Sequence, residues 1–138
     1  MSRARAENEA LARRFLDALR DSDRDGLLRV FDPDLVWVVP RGAIAPFAGE
    51  HRGAASVVER MLAAVGGAFV PGSVRHHVRL LLGDERHVMI ELEIEARARD
   101  GRDYRNSYVF VLEIAGGRIR EFREHVDTAT AARFFAPS

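Results

Sequence analysis

Three consecutive segments give the clearest structural signal in this sequence: Tyr104-Arg-Asn-Ser-Tyr-Val-Phe-Val-Leu-Glu-Ile114, Ala115-Gly-Gly-Arg118 and Ile119-Arg-Glu-Phe-Arg-Glu-His-Val126. Aromatic and β-branched residues, which favour extended structure, fill the first and third segments. The Gly-Gly pair between them is a strong signal for a tight turn. The stretch therefore predicts two antiparallel strands joined by a short hairpin turn.

Alternation along these strands separates an apolar face from a polar one, because successive side chains of a strand point to opposite sides. One face carries Tyr104, Asn106, Tyr108, Phe110, Leu112 and Ile114 from the first strand, and Phe122, Glu124 and Val126 from the second. Glu124 is thus a carboxylate between two apolar neighbours. It lies either in a desolvated cavity or at a rim, and only a cavity would perturb its chemistry strongly.

Composition describes one soluble globular domain that covers residues 1–138, with 47% apolar and 30% charged residues. The formal net charge is zero, so we expect neither nucleic-acid nor anionic-membrane binding. The absence of Cys excludes disulfides and thiolate chemistry, and all 21 basic residues are Arg, which excludes Schiff-base and P-loop lysines. With no apolar run long enough to span a membrane and no signal-peptide pattern, we expect a cytoplasmic protein.

Periodicity upstream predicts helices and strands in a defined order. Helical spacing predicts helices over Glu7–Arg20, from Asp25 to Pro33, and over Ala54–Val65 with a Gly66-Gly67 cap. Strands are expected over Leu35–Val39, Val74–Leu82 and Arg86–Arg99, a long loop over Arg41–Gly53, and a final helix capped at Asp127. This order predicts an α+β fold in which helices gather on one face of a curved antiparallel sheet.

The chain resembles SnoaL-like members of the NTF2-like (ketosteroid-isomerase-like) superfamily. The resemblance rests on an ordered set of segments: Phe15-Leu-Asp-Ala-Leu-Arg-Asp-Ser-Asp23 with Leu27-Leu-Arg-Val-Phe31, Val36-Trp-Val-Val-Pro40, Pro46-Phe-Ala-Gly-Glu-His-Arg-Gly53, Asp100-Gly101, Tyr104-Arg-Asn-Ser-Tyr108, Gly117-Arg-Ile119 and Arg123-Glu-His-Val-Asp-Thr128. It implies a cone in which helices and a curved sheet enclose an apolar pocket for a small ligand. It also implies a homodimer formed through the convex sheet face.

The chemistry of the best-known relatives is not carried over by this chain. Steroid isomerases, a standard example of pKa tuning, have a Tyr at the position of Phe15 and a catalytic base near the position of Val39. This chain has neither. No Asp falls within the strand from Tyr104 to Ile114. Limonene-type epoxide hydrolases have an Arg–Asp pair where this chain has Leu92 and Ile94, and only their last-strand carboxylate corresponds to Glu124. SnoaL-type cyclases place a base at that last-strand position, with a nearby His.

Glu124 is accordingly the candidate general base, and the alternative is a rim carboxylate paired with Arg. Asn106 and Tyr108 are candidates to hold a developing oxyanion, or to make structural hydrogen bonds. His76 could be an acid–base partner and His51 could edge the pocket, although a single His on an apolar face is often structural. Neither the adjacent pair His76-His77 nor any other set has metal-ligand spacing, so we expect no metal.

Further candidates share bulky apolar character and are expected to line the pocket, although each could equally be core: Trp37, Phe47, Met61 and Phe122, with Tyr108 and His51 completing the predicted substrate-binding set. Glu91, Glu93 and Glu95 alternate with apolar residues. We expect them on the outward face, paired with Arg, because three carboxylates facing one small cavity would repel one another.

The sequence therefore predicts a small-molecule enzyme of the SnoaL type that works without a metal or organic cofactor. It would transfer a proton on an apolar substrate, as an isomerase, cyclase or hydrolase. The alternative is a ligand-binding or protein-interaction module on the same scaffold, without chemistry.

Overall fold

The computed structural model describes residues 2–135. It contains four helices and six strands: α1 (Arg3–Arg20), α2 (Arg24–Val30), β1 (Phe31–Val39), β2 (Gly49–Arg52), α3 (Ala54–Ala68), β3 (Arg75–Gly83), β4 (His87–Arg97), β5 (Asp103–Ala115), β6 (Arg118–Val126) and α4 (Thr128–Phe135). Within these residues, no helix is both long and apolar enough to cross a membrane.

Side-chain caps fix the starts of three helices. The hydroxyl of Ser2 accepts the Arg5 N–H at the start of α1, and the Asp23 carboxylate accepts the Gly26 N–H at the start of α2. Asp127 accepts the Thr130 N–H at 3.2 Å, which confirms the predicted cap of the final helix. Each cap satisfies a backbone donor that the helix cannot satisfy itself.

The six strands form one sheet in the order β2-β1-β6-β5-β4-β3. Neighbouring strands are antiparallel except β1 and β6, which run parallel, so the sheet is mixed. The sheet is curved and does not close into a barrel, and the helices pack against it. The predicted α+β cone is confirmed, but the sheet was predicted to be antiparallel and contains one parallel pair, β1 with β6.

The hairpin of β5 and β6 has the predicted faces. Phe110 pairs with Glu124 and Leu112 pairs with Phe122, so these side chains lie on the same side of the sheet. A register shift after Glu113 brings Ile119, which has the opposite parity to Phe122, into the core as well. Because β6 lies between β1 and β5, its side chains are flanked by strands on both sides.

A cluster of aromatic rings joins α1 to the sheet. Phe15 is fully buried and contacts Phe31, Phe110 and Phe122, with ring centroids 5.6, 6.1 and 5.1 Å away. These tilted and edge-on geometries are the favoured ones for aromatic pairs. The cluster fills the sheet side of the cone beside Phe122.

Three local predictions were wrong. The segment Arg41–Gly53, predicted to be a loop, contains the short strand β2, which pairs with β1. The Gly and Pro residues of this segment favoured a loop in the sequence prediction. Gly66 and Gly67 lie inside α3 rather than at its cap, because Arg99 supports the last turn by donating to the Gly66 carbonyl at 2.8 Å. Helix α2 ends at Val30 rather than at Pro33, which lies in β1 where the pairing with β6 is interrupted.

We expect Phe15→Ala to destabilise the domain by about 3–5 kcal/mol, because it removes a fully buried ring and leaves a cavity under the sheet. Urea unfolding at fixed pH measures the change. Phe15→Leu is the matched control and should cost clearly less. Equal, small losses for both variants would contradict the account of the core.

Candidate active site

A cavity of about 140 Å³ lies between the inner face of the sheet and the helices. Helices α1, α3 and α4 contribute Leu19, Met61 and Phe135 to its wall, and every strand except β2 contributes at least one residue. Its volume is close to the ~150 Å³ of an engineered protein cavity that binds benzene. The cavity is therefore large enough for one ring-sized molecule.

Seven of the nine predicted site residues line this cavity: Trp37, Phe47, Met61, His76, Tyr108, Phe122 and Glu124. The structure does not place Asn106 and His51 in the lining. Tyr104, which the sequence places on the same strand face but which was not predicted as a site residue, lines the cavity as well. Phe69 and Phe135 add aromatic wall.

Glu124 lies two residues before the end of β6, opposite Phe110 on β5. Its carboxyl group has apolar surroundings, and its half-buried side chain faces the cavity that it lines. Desolvation raises the pKa of Glu124 from its ordinary 4.5 to about 7, because burial disfavours the charged form. Among the described residues, no Arg or Lys lines the cavity to offset that cost.

The indole of Trp37 lies on β1, which is the other neighbour of β6. Trp37 pairs with Phe122, two residues before Glu124, and only 5% of its surface is exposed. Its N–H is near enough to Glu124 to lower the carboxyl pKa in part. Within residues 2–135, however, this N–H has no hydrogen-bond partner of acceptable geometry. A buried donor without an acceptor is costly and is uncommon in native structures.

Two tyrosines and an asparagine form a hydrogen-bonded chain at the other side of Glu124. The hydroxyls of Tyr104 and Tyr108 are 2.5 Å apart, and the Asn106 amide donates to Tyr104 Oη at 2.9 Å. Burial raises the pKa of Tyr104, and raises that of Tyr108 well above its ordinary value. Both hydroxyls therefore keep their protons at neutral pH.

Asn106 is held by the backbone rather than facing the cavity. Its Oδ1 accepts the Ser107 N–H at 2.8 Å, and its Nδ2 donates to the Asp127 carbonyl at 3.1 Å as well as to Tyr104. The prediction that Asn106 holds a substrate oxyanion is therefore revised: it orients Tyr104 instead. Inward parity could not distinguish these two roles.

The two candidate histidines have different environments. Burial lowers the pKa of His76 from 6.5 to about 4, and the nearby Arg20 charge adds to the effect, so His76 is neutral at pH 7. His51 packs against Trp37 in a tilted arrangement with ring centroids 4.8 Å apart, and it donates through Nε2 to the Phe47 carbonyl at 2.6 Å. Because His51 is the cross-strand partner of Trp37, it lies beside the indole on the same face of the sheet.

A sequence profile of the SnoaL-like domain matches residues 12–122, which is most of the chain. The chain belongs to the SnoaL-like domain family. No functionally curated protein matches it at a significant level.

Solved structures share the architecture of this SnoaL-like domain. An NTF2-like protein from Burkholderia pseudomallei is 23% identical, with a TM-score of 0.81, over 99% of this chain and 100% of that one. TerC, co-crystallised with polyporic acid, is 22% identical with a TM-score of 0.80, over 93% and 97%. A limonene-epoxide-hydrolase-like enzyme from Mycobacterium tuberculosis is 19% identical with a TM-score of 0.71, over 94% and 89%. At these identities the likeness shows the fold alone.

On the outer face of this SnoaL-like domain, Glu93 and Glu95 pair with Arg as predicted, whereas Glu91 is exposed and makes no ion pair with any described residue. Arg105 contacts the carboxylates of Glu93 and Glu95, at 2.8 and 2.7 Å. Across residues 2–135, no three His, Asp or Glu side chains approach closely enough to hold a metal ion.

The raised pKa of Glu124 should make folding stability depend on pH. Between about pH 4.5 and 7 the unfolded chain releases this proton before the folded domain does, so stability falls as pH rises. The loss, complete above pH 7, is at most about 3 kcal/mol. The Glu124→Gln variant has no ionisable group at this position and therefore no such loss. Its free energy of unfolding relative to the wild type should increase as pH rises from 4.5 to 8, and urea unfolding measures this difference.

His76 has the opposite effect, because its lowered pKa removes stability as pH falls from 6.5 towards 4. His76 is present in both the wild type and Glu124→Gln, so its contribution cancels when their free energies of unfolding are subtracted. The matched control is Glu121→Gln, on the same strand but paired with Arg123 at 3.2 Å. The same pH-dependent gain in the control would assign the effect to general charge removal and contradict a desolvated Glu124.

Proposed function

We propose that this SnoaL-like domain is an enzyme that transfers a proton on a small apolar carbonyl compound, with Glu124 as general base and no metal or organic cofactor. The observation that carries the proposal is the position of Glu124: one carboxyl group in an apolar cavity, with a pKa of about 7. A base is most effective when its pKa lies near the working pH, since it is then both available and basic enough.

In the proposed reaction, ionised Glu124 removes a proton from the carbon next to a carbonyl group. The C–H bond breaks, an O–H bond forms on Glu124, and the electron pair moves onto the carbonyl oxygen. A tyrosine hydroxyl of the Tyr104–Tyr108 pair donates a hydrogen bond to that oxygen. If the carbonyl compound has a neighbouring C=C bond, the resulting dienolate takes the proton back from Glu124 at the far carbon, which is isomerisation. Otherwise the enolate carbon attacks a second carbonyl carbon within the substrate, whose C=O π bond breaks and whose oxygen takes the proton from Glu124, which is cyclisation.

Other residues support this assignment of roles. The remaining polar groups of the wall, His76 and the two tyrosines, are neutral at pH 7, so Glu124 carries the charge change alone. Apolar Leu92 and Ile94 occupy the places that the resemblance assigns to the Arg–Asp pair of epoxide hydrolases, which argues against water activation there. Isomerase or cyclase chemistry is therefore favoured over hydrolysis.

The second candidate function is a ligand-binding module without chemistry. It is favoured by the loss of the other acid–base positions of the steroid isomerases and epoxide hydrolases, including the base position near Val39, which is an apolar wall residue here. Under that alternative, small ketones would bind to the cavity and their α-protons would exchange at the uncatalysed rate.

Hydrogen–deuterium exchange at the α-carbons of a cyclic ketone in D₂O, followed by NMR, tests the proposal directly. The wild type should accelerate exchange, and the rate should rise with pH and level off above about 7. Glu124→Gln should lower the catalysed rate by roughly 10²–10⁴-fold, because the general base is lost. Glu121→Gln should exchange like the wild type. No acceleration by the wild type, with binding retained, would leave the binding module as the function.

We further propose that the protein is a homodimer through the outer face of the sheet. Leu80, Leu82 and Met89 are 44, 50 and 47% exposed, and pairing brings Leu82, Met89 and Val111 side by side. Contiguous exposed apolar side chains are typical of interaction surfaces. The occupant that the family resemblance favours is a second copy of the chain.

Met89→Glu should convert the dimer to a monomer, because it places a charge at the centre of this apolar surface. Light scattering coupled to size-exclusion chromatography measures the mass. Leu28→Glu is the matched control, since Leu28 is 36% exposed on α2, away from the sheet. A monomeric wild type, or a Met89→Glu variant that stays dimeric, would contradict the proposal.

A further inference from the structure

The donors and acceptors of the hydrogen-bonded chain formed by Asn106, Tyr104 and Tyr108 do not balance. The Asn106 amide offers two hydrogens, and each of Tyr104 and Tyr108 offers one. The acceptors that they reach are the Asp127 carbonyl and the two tyrosine oxygens. Asn106 is locked because its Oδ1 accepts the Ser107 N–H, so it cannot flip to accept instead. Whichever tyrosine donates to the other, one hydroxyl hydrogen is left without an acceptor in this chain of bonds.

The Trp37 N–H is a second donor without a partner of acceptable geometry among residues 2–135. Trp37 is 5% exposed and lines the cavity, so bulk water does not readily replace the missing acceptor. Two neutral donors are therefore presented to the same apolar space. The Glu124 carboxyl group lies near the Trp37 N–H but not in good hydrogen-bond geometry, so each donor gains a well-formed hydrogen bond only if a molecule bound in the cavity accepts it.

Strand pairing places these donors on opposite sides of Glu124. Trp37 pairs with Phe122, two residues before Glu124, and Tyr108 pairs with Val126, two residues after it. Diagonal neighbours on adjacent strands are roughly 7–8 Å apart at their backbones, which long aromatic side chains can span. The arrangement across the sheet is thus donor, carboxyl group, donor.

Charge and volume restrict the molecule that fits. Arg is absent from the described cavity wall and the chain contains no Lys, so an anion would meet no counter-charge beside Glu124. A cation would not satisfy the two donors, which require acceptors. The volume of about 140 Å³ suits a body the size of one ring.

We propose that the cavity binds a neutral cyclic dicarbonyl compound, whose two oxygens accept from the Trp37 N–H and from the free hydroxyl of the Tyr104–Tyr108 pair. This inference rests on the proposed function in taking the cavity as the substrate site. It adds the substrate class: Glu124 then faces the ring carbons that lie between the two oxygens.

Three probes of one ring size separate the contributions: 1,4-cyclohexanedione with two oxygens, cyclohexanone with one, and cyclohexane with none. The chain has a single Trp, so its indole N–H gives one NMR signal that needs no assignment by mutation. The dione should move this proton signal downfield, and cyclohexane should not. The dione should bind roughly three- to tenfold more tightly than cyclohexanone, the value of one additional hydrogen bond.

Variants identify the donors. Ligand-observed NMR should show that the preference for the dione over cyclohexanone is lost in Trp37→Phe and in the double variant Tyr104→Phe with Tyr108→Phe. Phe47→Leu reshapes the wall without removing a donor, so it should weaken all three probes alike and keep the preference. Equal binding of dione and monoketone by the wild type, no indole shift, or a preference that survives both donor variants would overturn the inference.

Glu124→Gln distinguishes this inference from the proposed function, because it removes the base and neither donor. If the wild type and Glu124→Gln both prefer the dione but neither accelerates α-proton exchange, the substrate class stands and the catalytic proposal fails. If the wild type accelerates exchange but binds dione and monoketone alike, catalysis stands and the substrate class fails.

Discussion

The burial of one carboxyl group against an apolar wall is the constraint on which the account of this domain depends. Glu124 is on β6, which has a strand on each side, so its side chain cannot turn towards an edge of the sheet. Helices contribute the facing wall of the cavity, and the described residues of that wall include no Arg or Lys. Desolvation, which the nearby Trp37 N–H offsets only in part, raises the carboxyl pKa to about 7. The same environment that makes this group expensive to ionise makes it a competent base at neutral pH.

The rest of the site follows from how the sheet presents its inner face. The parallel β1 brings Trp37 to one side of Glu124, and the antiparallel β5 brings Tyr108 to the other. The polar groups around the carboxylate are neutral donors, so they can stabilise negative charge that develops on a substrate without holding Glu124 permanently ionised. The fold alone supports many reactions in its family. In this chain, the positions of the Glu124 carboxyl group and of the neighbouring Trp37 and tyrosine donors favour some of these reactions over others.

The sequence predicted the β5–β6 hairpin and the face that carries Glu124 because alternation over a long hairpin is a strong periodic signal. The cone was predicted from the resemblance to the family. The sequence pattern did not indicate β2, which is four residues long and lies within a segment rich in Gly and Pro. It could not show the parallel pairing of β1 with β6, which joins segments far apart in the chain. Side-chain parity placed Tyr104, Asn106 and Tyr108 on one face, but not the backbone contacts that hold Asn106 and leave the tyrosines at the cavity. These backbone contacts depend on tertiary packing, which a local sequence pattern does not predict.

The most direct test of the central claim is the pKa of Glu124 itself, measured by carboxyl-carbon NMR titration with Glu124→Gln to identify the signal. The account predicts a midpoint near 7, well above the ordinary 4.5, because the group is desolvated in the cavity. A midpoint at or below the ordinary value would place Glu124 in water or beside an Arg. That result would contradict its role as the base and leave a binding module on the same scaffold.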